Sequence, residues 1–176
     1  MTQDIWQRAV AFHGHECPGL AIGVAAIEAA KEILGDIFGA EHDETVVCIS
    51  ENDACGVDAI QCLGGCTLGK GNLILIPRGK MAFSFFHRES GRSLRLVLKS
   101  DALAAYDTRQ EKQTALLMED WRHFFTITPP RHELPKKAEI YPSKRCERCL
   151  EATATPWLSL HRGQWICRDC EHEDRD

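Results

Sequence analysis

The chain has 176 residues, enough for one core of about 100–150 residues and a small further module. Hydrophobic residues make up 44% and charged residues 27%, which is ordinary for a globular protein, and the net charge of −5 gives no sign of a polyanion partner. The first residues lack a signal-peptide pattern, and the longest apolar stretch, residues 20–30, is too short and too polar to cross a membrane. We therefore expect a cytoplasmic protein that does not contact a membrane.

Two helices are predicted near the N-terminus, over residues 3–12 and 18–34. The first is amphipathic, whereas the second is apolar nearly all round, which predicts burial in the core or at a subunit interface. Pro18 suits the first position of a helix, because its missing N–H would be unpaired there. Four small residues recur at helical spacing in the second helix, so we expect another backbone to approach it closely; they are Gly19, Gly23, Ala26 and Ala30.

Four strands and two more helices follow, and together they predict an α+β fold with helices packed on an antiparallel sheet. The predicted strands cover residues 45–50, 72–77, 81–87 and 93–99, with hairpin turns at 77–80 and 89–92. The predicted helices cover residues 54–63 and 108–125.

The chain divides into three predicted parts. Residues 126–145 contain four prolines interspersed with basic residues, a composition typical of an extended linker. We therefore expect an α+β metal-binding core domain over residues 1–128, a linker over 129–143 and a small C-terminal domain over 144–176.

A dense group of histidine and cysteine residues marks the core domain. His13, His15 and Cys17 fall within five positions, directly before the second predicted helix, whose N-terminus would stabilise a thiolate at Cys17. Cys55 begins another predicted helix and has the same advantage. We expect His15, Cys17 and Cys55 to bind one transition-metal ion, zinc by default, with a position left open. His13 could be a fourth ligand, a residue that hydrogen-bonds to a ligand without binding the ion, or a proton carrier. His13 and Cys17 are the candidate catalytic residues.

The other thiols of the first half are weaker candidates. Free cysteine is among the most buried residue types, so Cys48 and Cys62 are interpreted as packing residues. The role of Cys66 stays open, and His87 is interpreted as a hydrogen-bonded strand residue.

Near the C-terminus, two C-x-x-C motifs separated by seventeen residues match the spacing of a four-cysteine zinc module. Its ligands would be Cys146, Cys149, Cys167 and Cys170, since zinc takes four thiolates in a tetrahedron. A redox dithiol or two disulfides are the alternatives, and nine cysteines are an odd number for a disulfide framework. From residue 143 onwards there are six Lys/Arg and seven Asp/Glu, and a Zn(Cys)4 centre adds roughly two negative charges. This balance favours protein contact or dimer stability over DNA, while the lysines of the linker keep nucleic-acid binding open as an alternative.

The sequence resembles the family of the E-subunit of formylmethanofuran dehydrogenase. The resemblance rests on Phe-His-Gly-His-x-Cys-Pro-Gly-Leu-Ala-Ile-Gly at residues 12–23, Asp-x-Cys-x-Val-Asp-Ala-Ile-Gln at 53–61 and Gly-Cys-Thr-Leu-Gly-Lys-Gly-Asn-Leu at 65–73. It implies an α+β core, an intertwined homodimer, bound zinc and a C-terminal module of treble-clef type, for which a ribbon-like pair of knuckles is the alternative.

The family name refers to a molybdenum or tungsten enzyme that reduces CO2 onto methanofuran, whose chemistry belongs to larger pterin and iron–sulfur subunits. This chain lacks the length and the cysteine runs for those cofactors, so the resemblance implies an accessory or stand-alone relative, with larger oxidoreductase subunits as candidate partners.

Three functions therefore compete. The first is a cytosolic dimeric metalloprotein with a core His/Cys site, associated with one-carbon redox chemistry. The second is a regulatory, scaffold or metal-sensing protein whose zinc module contacts protein or nucleic acid. The third is a redox thiol protein in which Cys17 and Cys55 form a disulfide.

Overall fold

The computed structural model describes residues 3–35, 38 and 44–173. The chain forms two compact units, Met1–Ala138 and Glu139–Asp176. Among the described residues, no helix combines the length and the apolar character that are needed to cross a membrane.

Four α-helices lie in the described part of the first unit: α1 (Gln3–His13), α2 (Pro18–Leu34), α3 (Gly56–Gly64) and α4 (Arg109–Met118). The first two agree with the predicted ranges to within one residue. Cys17 caps α2, and Pro18 occupies its first turn as the sequence predicts. Eleven residues of α2 are buried, which places this helix in the centre of the unit.

A five-stranded sheet lies beside the helices, in the order β2-β1-β3-β4-β5. Its strands are β1 (Val46–Ser50), β2 (Leu73–Leu75), β3 (Ala82–His87), β4 (Ser93–Leu98) and β5 (Phe125–Thr128). The α+β class is confirmed. The sheet is mixed rather than wholly antiparallel, because β1 and β2 pair in parallel while the other three pairings are antiparallel.

One of the two predicted hairpins is correct. Residues 89–92 join β3 to β4, which pair directly. The hairpin predicted at residues 77–80 is wrong, because β2 and β3 do not pair with each other and instead flank β1 on opposite sides. The helix α3 lies between β1 and β2 in the chain, and this crossover makes the parallel pairing possible.

The helix predicted over residues 108–125 ends earlier in the structure. It begins with a capping box in which Thr108 and Glu111 satisfy each other's backbone N–H groups, and it stops at Met118. Asp120 then caps a short 3-10 helix, Trp121–His123, by accepting a hydrogen bond from the Arg122 N–H. The chain continues as β5, the edge strand that pairs with β4.

The main core lies between the sheet and the helices α2 and α4. Phe83 and Phe85 of β3 and Leu94 and Leu96 of β4 share one face and are at most 3% exposed. Each fully buried side chain of this size contributes about 1.5–3 kcal/mol relative to exposure. This packing fixes α2, and with it the turn that carries the histidine–cysteine group.

The proline-rich segment after β5 is tied to the first unit as far as residue 138. Arg88, which directly follows β3, donates hydrogen bonds from its guanidinium group to the carbonyl oxygens of Pro135 at 2.5 Å and Lys136 at 3.1 Å. The boundary between the two compact units therefore falls between Ala138 and Glu139.

The second unit is built from two small hairpins and a short helix. Its elements are β6 (Ser143–Arg145), β7 (Ala152–Ala154), a 3-10 turn (Thr155–Trp157), β8 (Leu158–His161), β9 (Gln164–Cys167) and α5 (Arg168–His172). Arg162 and Gly163 take left-handed backbone conformations, with φ of 49° and 85°, in the turn between β8 and β9. The first C-x-x-C turn lies between β6 and β7, and the hairpin of β8 and β9 leads directly into α5.

Candidate metal centres

The histidine–cysteine group lies on the turn that joins α1 to α2. His13 is the last residue of α1, and Gly14 adopts a φ of 92°, which favours glycine and turns the chain sharply. Cys17 has an extended backbone, and its sulfur accepts a hydrogen bond from the Leu20 N–H at 3.3 Å. This sulfur therefore faces the free N–H groups and the positive end of α2.

Three donors converge on this turn. The ligand atoms of His13, His15 and Cys17 lie within 4.8 Å of one another, and the Cys17 Sγ is 3.8 Å from the His13 Nε2. Ligand atoms of a tetrahedral zinc site are about 3.3–3.8 Å apart, given Zn–N near 2.0 Å and Zn–S near 2.3 Å. The three donors are therefore spaced closely enough to share one ion after small side-chain movements.

His13 is also held from its other side. Its Nδ1 lies 2.7 Å from the Asp58 Oδ2, a carboxylate in the first turn of α3. The Nε2 is thus the nitrogen that faces Cys17. The sequence left the role of His13 open, and its contact with Asp58, forty-five positions away, is the feature that sequence reasoning missed.

Cys55 lies beside Cys17 but outside the group of three. It is the N-terminal cap of α3, and α3 packs against α2. A Cβ built on Gly19 would be 3.5 Å from the Cys55 Sγ and 3.8 Å from the Cys17 Sγ, so the two sulfurs border the same small space. Burial and the neighbouring Cys17 thiol raise the pKa of Cys55.

The remaining thiols of the first unit lie elsewhere. Cys48 and Cys66 are fully buried, and burial raises the pKa of Cys66 to about 12, which makes it a poor nucleophile. The Cys62 thiol contacts the carbonyl oxygen of Arg8 at 3.6 Å. His87 ends β3, and its Nδ1 lies 2.7 Å from the Ser90 hydroxyl.

A second group of donors lies in the other unit, where the ligand atoms of Cys146, Cys149, Cys167 and Cys170 are within 4.8 Å of one another. The sulfurs of Cys146 and Cys170 are 3.8 Å apart, and those of Cys149 and Cys167 are 3.9 Å apart. The edge of a Zn(Cys)4 tetrahedron is about 3.8 Å for Zn–S near 2.3 Å, so the four cysteines fit a zinc ion.

Backbone N–H groups of this unit point at a cysteine sulfur and stabilise its thiolate form. Burial alone would raise the pKa of Cys146, but N–H groups of Cys167, Cys149 and Arg148 aimed at its sulfur lower that pKa to about 6. The Cys167 N–H is 3.4 Å from this sulfur. Leu150, directly after the first pair of cysteines, has a φ of 66°, and the N–H of the next residue, Glu151, donates to the Cys149 sulfur.

The fold and the two donor groups define the class of this protein: an α+β unit with a histidine–cysteine group, followed by a module whose four cysteines could hold a metal ion. The chain belongs to the FmdE family, because the model of "FmdE, Molybdenum formylmethanofuran dehydrogenase operon" matches residues 12–139. This agrees with the resemblance carried by the three sequence motifs.

Two known proteins are similar to this chain. The crystal structure of an FmdE-like protein of the tungsten formylmethanofuran dehydrogenase type, from Syntrophus aciditrophicus, matches 99% of this chain and 94% of that chain, with a TM-score of 0.71 and 20% identity. This likeness shows the fold. A curated protein from Archaeoglobus fulgidus, described as a probable S-adenosyl-L-methionine-binding protein, is 28% identical over an alignment that covers 82% of this chain and 47% of that protein. The chain spans about half the length of this relative, so that name describes a longer protein.

Proposed function

We propose that this protein is a metalloprotein of the FmdE family with an exchangeable transition-metal site in its core and a structural zinc site in its C-terminal module. The observation that carries the proposal is the convergence of His13, His15 and Cys17, whose ligand atoms lie within 4.8 Å. Two imidazoles and a thiolate suit zinc first, with nickel, iron or copper as alternatives.

An open position distinguishes the core site in this proposal. Three donors from one turn leave a fourth position, and His15 is exposed to solvent. Cys55, beside Cys17, can supply the fourth ligand, or a water can take it. A zinc ion lowers the pKa of a bound water to about 7, which would support hydrolytic or lyase-like chemistry. His13 and Cys17 are the candidate catalytic residues.

The proposed setting is one-carbon redox chemistry of the formylmethanofuran dehydrogenase type. The family match supports an accessory or stand-alone role there, with a homodimer as the working unit and larger oxidoreductase subunits as partners. Pterin and iron–sulfur chemistry would belong to those subunits, because this chain lacks the cysteine runs that such clusters need.

Metal analysis of protein purified under reducing conditions tests the two sites. We expect about two ions per chain in the wild type and about one in a His15→Ala/Cys17→Ala variant, since each donor group holds one ion. Cys62→Ala is the matched control, because Cys62 is a half-buried thiol whose sulfur contacts Arg8 rather than the donor group. An unchanged metal content in the double variant would refute the core site.

A regulatory or scaffold role is the second candidate, and the surface of the C-terminal module favours it. Leu160 and Trp165 pair across β8 and β9 and are 62% and 50% exposed, and exposed aromatic residues are enriched in protein interfaces. Binding of the full chain to DNA or RNA at low salt, lost steeply as salt rises, would indicate nucleic-acid contact. Absence of such binding would leave a protein partner as the remaining version of this role.

A further inference from the structure

We infer that Asp58 is a positioning residue of the core metal site, and that its carboxylate presents the His13 Nε2 to the ion. This inference rests on the proposed core site. Asp58 itself is not proposed as a ligand. Its Oδ2 is 2.7 Å from the His13 Nδ1, which is the ring nitrogen that does not face Cys17.

The chemistry of imidazole makes this contact decisive. A neutral histidine has one N–H and one nitrogen lone pair, and a hydrogen bond at one nitrogen selects which of the two can bind a metal. The Asp58 carboxylate accepts the Nδ1–H, which leaves the lone pair on Nε2. That nitrogen faces the Cys17 Sγ at 3.8 Å. Such carboxylate contacts orient a metal-binding histidine and increase its basicity.

The contact is well anchored. The His13 side chain is 11% exposed and that of Asp58 is 35% exposed, so the hydrogen bond is partly shielded from water. The other carboxylate oxygen of Asp58, Oδ1, lies 3.4 Å from the Gln61 amide nitrogen, one turn further along α3. The same helix carries Cys55 at its N-terminal cap. The same helix therefore positions both the Cys55 thiol, which lies beside Cys17, and the Asp58 carboxylate, which contacts His13.

The alternative is a purely structural role, in which this hydrogen bond only connects α1 to α3, two helices that pack against each other. A tie of that kind would change the stability of the fold. A purely structural contact would not change the tautomer of His13 or the affinity of a correctly folded site for metal. Measuring the tautomer and the affinity therefore distinguishes a structural role of Asp58 from a positioning role.

The test measures zinc affinity of the full chain by competition with a chromogenic chelator, for Asp58→Ala and Asp58→Asn. We expect Asp58→Ala to weaken the core site about 10–100-fold, the usual effect of removing such a partner, and to leave the four-cysteine site unchanged. Asp58→Asn keeps the side-chain size, but an amide can donate as well as accept, so the loss should be intermediate. Asp53→Asn is the matched control, because it removes an exposed carboxylate two residues before Cys55.

Nitrogen-15 NMR of the zinc-loaded protein gives the second readout. The wild type should have a protonated Nδ1 and a zinc-bound Nε2 at His13, and Asp58→Ala should lose the strongly deshielded Nδ1 proton. A core affinity within twofold of the wild type in Asp58→Ala, with His13 still bound through Nε2, overturns the inference. Failure of the wild type to bind a second zinc ion would instead refute the proposed core site, so the two failures are distinguishable.

Discussion

A buried ion pair joins Glu51, directly after β1, to Arg95 of β4. Glu51 and Arg95 are 2% exposed, and the guanidinium group contacts both carboxylate oxygens, at 2.5 Å and 2.8 Å. Arg95 also reaches the Thr128 hydroxyl at 3.3 Å, which links β4 to the edge strand β5. Two desolvated charges are tolerated here because each satisfies the other.

Removing one partner of this pair should be costly. We expect Arg95→Met to lower the free energy of unfolding by about 3–5 kcal/mol, because it leaves the Glu51 carboxylate buried and unpaired. Urea denaturation at neutral pH measures this loss, and Arg78→Met, which removes an exposed arginine, should stay within about 0.5 kcal/mol of the wild type. A Glu51→Leu/Arg95→Met double variant should recover much of the loss. A single-variant loss below about 1 kcal/mol would contradict this account.

The same pair predicts a pH dependence. The hydrogen bond from Arg95 lowers the pKa of Glu51 against the opposing effect of burial. A carboxyl whose pKa is lower in the folded state stabilises the fold fully above its unfolded pKa, about 4.3 for Glu, and loses this contribution as the pH falls through the folded pKa. The stability advantage of the wild type over Glu51→Gln should therefore be constant from pH 7 to about pH 5 and should shrink below that. Urea midpoints of both proteins across this range measure the difference, and an advantage that grows on acidification would refute the sign.

The candidate core site could be predicted in part from the sequence. His15 and Cys17 are close neighbours in the chain, so their meeting follows from a tight turn before a helix. Cys55 could be placed nearby because helix N-termini attract thiolates. The contact between His13 and Asp58 depends on how α1 packs against α3, and no local pattern carries that information.

At the level of elements, the crossing of α2 and α3 controls the core site. A Cβ on Gly23 would be 2.2 Å from the Gly56 carbonyl oxygen, and one on Gly19 would be 3.2 Å from the Cys55 Cβ. The repeated small residues of α2 predicted such a close approach, and the structure confirms it. The contact of Gly23 is with the backbone of Gly56, so a methyl group added at Gly23 cannot be accommodated by moving a side chain.

Substitution at this crossing should affect both the fold and the metal site. We expect Gly23→Ala to lower the free energy of unfolding by about 1–3 kcal/mol, the usual cost of overpacking, and to weaken metal binding because α3 must shift with Cys55 and Asp58. Thermal unfolding and zinc competition measure the two effects. Gly69→Ala is the control, because a Cβ there meets nothing within 4 Å. Metal affinity and stability equal to the wild type would show that the crossing can relax.

Strand pairing was harder to predict than the elements themselves. Residues 72–77 and 81–87 are consecutive apolar segments with a turn-like link, and local chemistry favours joining them as a hairpin. The structure instead inserts β1 between them, because β1 is buried along its whole length and takes a partner on both edges. The end of α4 was missed for a related reason. The apolar residues Trp121, Phe124 and Phe125 suit a helix, but Trp121 begins a separate 3-10 helix and Phe125 pairs with Leu98 as the first residue of β5.

At the scale of the whole molecule, the two compact units differ in what holds them together. The first has a large apolar core between sheet and helices. In the second, the buried residues among those that the structure describes are Leu158, Ile166 and three of the four cysteines. So small an apolar cluster cannot offset the conformational entropy of ordering its chain, and an ion at the proposed four-cysteine site would supply the missing free energy.

Metal removal should therefore unfold one unit and spare the other. Under reducing conditions with a strong chelator, we expect trypsin to cut rapidly at Lys144, Arg148 and Arg162, while fragments covering residues 3–138 resist digestion. Mass spectrometry of timed digests identifies the cleavage sites, and added zinc should restore resistance.

Two variants separate the proposed ions in the same assay. In the His15→Ala/Cys17→Ala variant, loss of the core ion alone should leave the second unit resistant until chelator is added, because its own four ligands are intact. Cys149→Ser should make the second unit sensitive even with zinc present, because it removes one of the four thiolates. Resistance of the second unit in chelator, with the metal shown to be absent, would mean that its fold does not depend on the four cysteines and that the zinc module is not structural.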